Sequence, residues 1–197
     1  FEATVRCCTQ NGIRGGSATV HFPIWHQEIR DIIVLKNNKG TEDNRVRKLD
    51  YSIQLSALFY QRFIDNGKIT LFSPHDVAGL YDSFGTESFD ELYVKYENDD
   101  SIPKTQVDAQ ELILDLLKER AETGRIYIMN IDHCNSHSSF TDKVEMSNLC
   151  QEITLPTKPV QHIDDEHGEI ALCILSAINI GKIRDVQDLE TLCDLSV

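Results

Sequence analysis

Asn148, Cys150 and Glu152 stand two residues apart in Ser147-Asn148-Leu149-Cys150-Gln151-Glu152, an amide, a thiol and a carboxylate in one short stretch. In an extended segment alternate side chains project to one face. The spacing therefore predicts that these three polar groups point the same way, while Leu149, Gln151 and Ile153 face the other side and the two apolar residues anchor the segment. A hydrogen-bonding amide, a sulfur able to act as nucleophile or radical carrier, and a general base aimed at one small volume make a reaction centre. The same spacing fits an ordinary loop with a buried cysteine, and spacing alone leaves both readings open.

Three further groups have chemistry-bearing residue types. Cys173, within Ile170-Ala171-Leu172-Cys173-Ile174-Leu175, reads by itself as a small buried apolar residue. Near the start, Gln10, Gly12, Arg14, Gly15 and Gly16 form a glycine-rich loop with one amide and one guanidinium, suited either to a base edge or phosphate or to a plain turn before a strand. His133, Cys134 and His137 have the side chains of a metal site. A closed zinc site needs four ligands and no second cluster accompanies them, so loop packing is the reading and no metal is assigned. Trp25 and His26 read as packing residues, with His26 placed to cap the helix that follows.

Strand-like runs alternate with amphipathic helical stretches and would position these groups. Residues 17–22, 49–53, 69–72 and 125–131 read as strands, and 27–36, 54–64, 88–96 and 105–123 as helices. The last helix is the clearest, with Ala109, Leu112, Ile113, Leu116 and Leu117 in one stripe and Gly124 as its cap. This alternation predicts an α/β fold with largely parallel strands, open or closed into a barrel. From 132 to 168 the pattern gives way to polar residues, prolines and histidines, which is where a site is expected. The chain opens on Phe1, and the helical pattern over 185–195 stops at Val197 without a glycine exit, so a piece of something longer is expected.

The formal charge of −13, from 19 Lys and Arg against 32 Asp and Glu, argues against the broad basic footprint of a nucleic-acid binder. A nucleotide is still admitted, because a small phosphate ligand needs only a few local donors. No apolar stretch is long enough for a membrane span and no signal peptide opens the chain, which points to the cytoplasm. The cysteines, at 7, 8, 134, 150, 173 and 193, lack the spacing of a disulfide framework and are expected as reduced thiols.

The stretch Ser147 to Ile153, then Leu155-Pro156-Thr157-Lys158-Pro159, then Gly168-Glu169-Ile170-Ala171-Leu172-Cys173, resembles the active-site region of class I ribonucleotide reductase large subunits. The resemblance runs almost end to end. It includes Cys7-Cys8-Thr9-Gln10, Ile13-Arg14-Gly15-Gly16, Pro23-Ile24-Trp25-His26, Asn44-Arg45-Val46-Arg47, Leu71-Phe72-Ser73-Pro74-His75-Asp76 and Asp132-His133-Cys134-Asn135, all in the family's order.

The resemblance implies a ten-stranded α/β barrel with a central finger loop, near 147–159, that carries the active-site cysteine. Residues 1–197 would be a partial catalytic barrel domain: the first half-barrel, the finger loop and the start of the second half. It further implies that Cys150 carries a thiyl radical in the reduction of ribonucleoside diphosphates to deoxyribonucleotides for DNA synthesis, with Glu152 accepting the 3′-hydroxyl proton and Asn148 holding the ribose hydroxyls. Cys173 would be half of a redox-active dithiol whose partner lies outside this chain. Cys8, Gln10 and Arg14 would read the specificity signal from nucleotide effectors, ATP and deoxynucleoside triphosphates, with Asn11 standing where the family usually has glycine.

The implied partners are a small radical-generating subunit holding the metal-radical cofactor, a second large subunit, and thioredoxin or glutaredoxin. No cofactor is expected on this piece, nor turnover by the piece alone. The competing expectation is a truncated or split remnant that docks on other reductase chains without catalysis.

Overall fold

The computed structural model describes residues 1–197 in two compact units, Phe1–Thr157 and Lys158–Val197. In the first, three parallel strands, β1 (Thr19–Pro23), β2 (Asp50–Leu55) and β5 (Ile126–Asn130), lie in the order β1-β2-β5. Thr19 sits opposite Asp50 and His21 opposite Ser52, while Ser52 in turn faces Tyr127. Two connecting elements, α2 (Ile29–Ile33) and α3 (Ala57–Ile64), follow β1 and β2 respectively. The expected parallel α/β arrangement is therefore present.

This register sorts side chains by face, because alternate residues of a strand project oppositely. Tyr51, Ile53, Leu55 and Ile126 are buried on one face, with Val20, Phe22 and Ile128 packed against the core. Thr19, His21, Asp50, Ser52, Gln54, Tyr127 and Met129 share the other. A parallel sheet usually carries apolar residues on both faces; here one face is polar.

A second, two-stranded antiparallel ribbon joins β3 (Lys68–Phe72), the strand expected over 69–72, to β4 (Lys104–Asp108), where no strand was expected. The helix expected over 105–123 is shorter, α6 (Ala109–Thr123): residues 104–108 pair with β3, and the Asp108 carboxylate accepts from the amides of Gln110 and Glu111, each at 3.0 Å, starting the helix there. Gly124 closes it with φ +66° as expected. Likewise α3 begins at Ala57 rather than near 54, because Gln54 and Leu55 continue β2.

The core holds Trp25, Phe59, Phe72, Phe89 and Tyr93, each almost wholly buried. Their rings, with that of Phe84, make edge-on and tilted contacts between 4.6 and 6.2 Å. They are contributed by β1, α3, β3 and the short helices α4 (Leu80–Ser83) and α5 (Phe89–Glu97) and the turns beside them. Trp25 is thus the packing residue expected, and His26 accepts from the Glu28 amide at 3.1 Å just ahead of α2.

The remaining elements of this unit are α1 (Glu2–Cys7), α7 (Ile131–Ser136) and a single 3-10 turn, Glu42–Asn44. In the second unit, Lys158 and Glu169 form an antiparallel bridge with two backbone hydrogen bonds of 3.0 Å and a 3.2 Å ion pair. Its one α-helix, α8 (Val186–Ser196), is capped by Asp185. No helix is long and apolar enough to cross a membrane.

Candidate active site

The backbone reaches Cys150 along a path set by side chains of the polar sheet face. After β5, the Asp132-His133-Cys134-Asn135 stretch folds as α7, and its two polar ends tie it down. Asp132 accepts from the Ala57 amide at 2.7 Å, and Asn135 both accepts from Val144 N at 2.8 Å and donates to Val144 O at 3.0 Å. Val144 is fully buried. His137 is exposed, with its Nδ1 3.0 Å from the His133 carbonyl one turn back.

From Val144 onward, alternate carbonyls are held by the sheet. Gln54 donates to Glu145 O at 2.6 Å, His21 Nε2 lies 3.1 Å from Ser147 O, and Thr19 donates to Leu149 O at 2.6 Å. Alternate carbonyls face one way in extended chain, and the backbone ahead of the turn, 145–148, crosses β2 and β1 in that manner. Since a carbonyl can only accept, the His21 proton resides on Nε2, and its buried Nδ1 has no partner. Burial lowers the His21 pKa, partly offset by that carbonyl, so the ring is neutral near pH 7.

The extended path then breaks, which corrects the expected geometry of the triad. Asn148 to Gln151 form a turn closed by Gln151 N–H to Asn148 O at 3.2 Å, and Gln151 takes φ +66°. Asn148, Cys150 and Glu152 therefore do not project in simple alternation. The expectation failed because local hydrogen bonds outcompete extension: Asn148 Oδ1 accepts from Ile153 N at 3.0 Å and Ser147 Oγ donates to Ile153 O at 2.5 Å, pinching the loop at its base.

Nor is Gln151 idle on the back of the segment. Its amide accepts from Ser52 Oγ at 3.3 Å and donates to Ile128 O at 3.1 Å.

At the tip, Cys150 and Glu152 are exposed and Asn148 is half-buried. Cys150 is thus not the buried cysteine of a plain loop. The Tyr127 hydroxyl has its pKa raised, first by desolvation and then by its neighbours Cys150 and Asp50. Asp50 is itself paired with Lys36 at 2.5 Å.

Residue spacing did not reveal Thr19, His21, Ser52, Gln54 or Gln151, whose hydrogen bonds hold the segment that carries the triad. A signal was present: strand 50–55 alternates polar and apolar residues where a doubly covered parallel strand would not.

The glycine-rich loop folds as a tight hairpin. Gln10 N–H bonds Arg14 O at 2.9 Å, and Asn11 and Gly12 have φ +52° and +74°, the two left-handed residues of a type I′ turn. Asparagine is among the few side chains that tolerate this conformation, so Asn11 fits a turn position where the family usually has glycine. A Cβ at Gly16 would overlap the Val5 and Cys8 carbonyls, which ties the loop to the end of α1. Cys8, Gln10 and Arg14 are all exposed.

Cys173 lies in the second unit on irregular backbone and is exposed, not a core cysteine. The neighbouring Ile170, Leu172, Ile174 and Leu175 are likewise 72–93% exposed.

Against known families, all of residues 1–197 match the model described as "Ribonucleotide reductase, barrel domain". The chain is 58% identical over 191 residues to the ribonucleoside-diphosphate reductase subunit alpha of Haemophilus influenzae, covering 94% of this chain and 25% of that protein. It is 54% identical over 165 residues to ribonucleoside-diphosphate reductase 1 subunit alpha of Escherichia coli, covering 81% and 22%. Against the large subunit of Arabidopsis thaliana it is 36% identical over 185 residues, covering 92% and 21%. The chain therefore spans about a quarter of the length of the curated relatives it matches.

Proposed function

This chain belongs to the ribonucleotide reductase barrel-domain family, and from that we propose that it is the radical-bearing segment of a ribonucleoside-diphosphate reductase large subunit. The observation that supports the reading most is the Cys150 turn itself: a polar sheet face holds three alternate carbonyls and the Gln151 amide, yet leaves the thiol and the Glu152 carboxylate exposed. An ordinary loop has no need of such anchoring.

In this reading a Cys150 thiyl takes the 3′ hydrogen of a ribonucleoside diphosphate, forming S–H as C–H breaks, while Glu152 accepts the 3′-hydroxyl proton. The Asn148 carbonyl oxygen is engaged within the loop, so its amide N–H is the group that reaches a ribose hydroxyl. The 2′-hydroxyl leaves as water, and Cys173 with a partner thiol supplies two electrons and becomes a disulfide. Hydrogen returns from Cys150 to C3′, which regenerates the thiyl.

Cys8, Gln10 and Arg14 form the loop that adjusts substrate choice to bound nucleotide effectors. The fold is part of a ten-stranded barrel with residues 147–159 as its finger. The run around Cys173 has the composition of a barrel strand, and its exposed apolar side chains suit burial by further strands. The small radical-generating subunit with its metal-radical cofactor, a second large subunit, and thioredoxin or glutaredoxin complete a cytoplasmic enzyme.

The test compares Cys150→Ser and Cys173→Ser in the complete large subunit, incubated with small subunit and substrate, with free base and deoxynucleotide measured together. Cys150→Ser is expected to yield neither, because its chemistry never begins. Cys173→Ser is expected to start the radical step but lack electrons, releasing base and inactivating the enzyme. Deoxynucleotide from the first variant, or many turnovers with a dithiol reductant from the second, would refute the corresponding role.

A further inference from the structure

Gln151 is one of three non-glycine residues with left-handed backbone, and it directly follows Cys150. The other two, Asn11 and Asn66, are asparagines, which adopt this conformation readily; glutamine does not. Backbone held in a disfavoured region persists only where the surroundings over-determine it. Those surroundings are identifiable here. Ser52, fully buried on β2, donates to Gln151 Oε1 at 3.3 Å, and Gln151 Nε2 donates to the Ile128 carbonyl of β5 at 3.1 Å. With its own amide closing the turn on Asn148 O at 3.2 Å, Gln151 bridges two adjacent strands and the loop at once.

We propose that Gln151 is a positioning residue for the reaction, a cross-strand clamp that holds the Cys150 sulfur and the Glu152 carboxylate at their working distance. This rests on the reading of Cys150 given above. The chemistry explains the residue type. Only a primary amide offers an acceptor to Ser52 and a donor to Ile128 from one planar group; a carboxylate would present a lone pair to a lone pair, and an apolar chain would leave both partners unpaired. Planar peptide bonds link Gln151 rigidly to its neighbours. Release of the clamp lets its φ fall back to negative values and swings Cys150 and Glu152 away from their present places.

The test uses the complete large subunit with its small subunit. Gln151→Met keeps length and shape but makes no hydrogen bond. It is expected to lower kcat by about ten- to a hundredfold, the scale of an ångström-sized misplacement, with KM changed by less than about twofold. Gln151→Gly accepts the left-handed conformation freely and should fall at least as far, since the clamp rather than the backbone preference sets the position. Ser52→Ala removes a single hydroxyl, should fold normally, and should show a smaller kcat loss of the same kind.

Wild-type kcat in Gln151→Met, full activity in Gln151→Gly, or a rise in KM with kcat retained would each overturn the inference. Should Gln151→Met fail to fold, an unaltered kcat in Ser52→Ala overturns it. Cys150→Ser run alongside separates the two levels: turnover by that variant defeats the proposed function, whereas an inactive Cys150→Ser beside a fully active Gln151→Met defeats only the clamp.

Discussion

Two polar clusters in the first unit are built on opposite principles. Around β3 and α5, side chains satisfy one another: Arg62 makes two 2.6 Å hydrogen bonds to Glu97 and stacks 5.1 Å over the Tyr93 ring. Tyr93 accepts from Thr70 N and donates to Thr70 O, each at 2.7 Å, and Thr70 Oγ1 donates to Glu97. On the polar sheet face, by contrast, Thr19, His21 and Gln54 spend their hydrogen bonds on the carbonyls of another segment.

The first cluster is closed and leaves nothing for a ligand. The second ends in an exposed thiol and carboxylate. Polar content alone does not mark a site; the distinction is whether the polar groups are consumed by one another or used to hold something reactive.

The largest expected effect that sharpens this contrast is on stability. Arg62→Met strands the Glu97 carboxylate and should cost about 2–4 kcal/mol, somewhat below the figure for a fully buried pair, since the partners are 17% and 14% exposed. Denaturant unfolding of the complete subunit reads the loss, while activity per folded molecule should persist. Burial pushes the Glu97 pKa up, but the hydrogen bonds from Arg62 and Thr70 outweigh it and hold the carboxyl below its ordinary range. Its stabilisation is therefore present above that range and is lost as pH falls through the depressed value, and Arg62→Met should flatten this acid-side decline. An unchanged stability would mean the first cluster is ornamental.

A smaller and more local effect is expected from Gln54→Leu, which leaves the Glu145 carbonyl unpaired at a cost of about 1–3 kcal/mol. Amide hydrogen exchange should quicken in 145–153 while the amides of α5 keep their protection. Equal loosening of both regions would erase the comparison.

The smallest effect concerns His21. Because burial lowers its folded pKa, nothing changes with pH above the ordinary value of 6.5, but below it His21 takes up a proton more readily with the loop released than with the loop anchored over it. After correction for intrinsic rates, exchange in 145–153 should quicken as pH drops below about 6.5. In His21→Gln, which can still donate to Ser147 O but does not titrate, this acceleration should vanish. Its persistence would place the sensitive group elsewhere.

Much of this molecule was legible in its sequence for a local reason. Period-2 and period-3.6 patterns and the Gly124 cap depend on neighbours a few residues away, so strands 17–22, 49–53, 69–72 and 125–131 and the helix ending at 123 were placed within a few positions. The ordered motifs identified the family. What stayed hidden depends on partners far along the chain. Residues 104–108 pair with a strand some forty positions earlier, and that pairing overrode their helical pattern. Gln151 reaches Ser52, 99 residues away, and Thr19 reaches Leu149 across 130. Spacing could say that Asn148, Cys150 and Glu152 belong together. Only the tertiary structure decided their geometry, because the turn pinched locally by Ser147 and Asn148 onto Ile153 is held in place by hydrogen bonds from β1, β2 and β5, and those distant partners are not encoded in an alternating pattern.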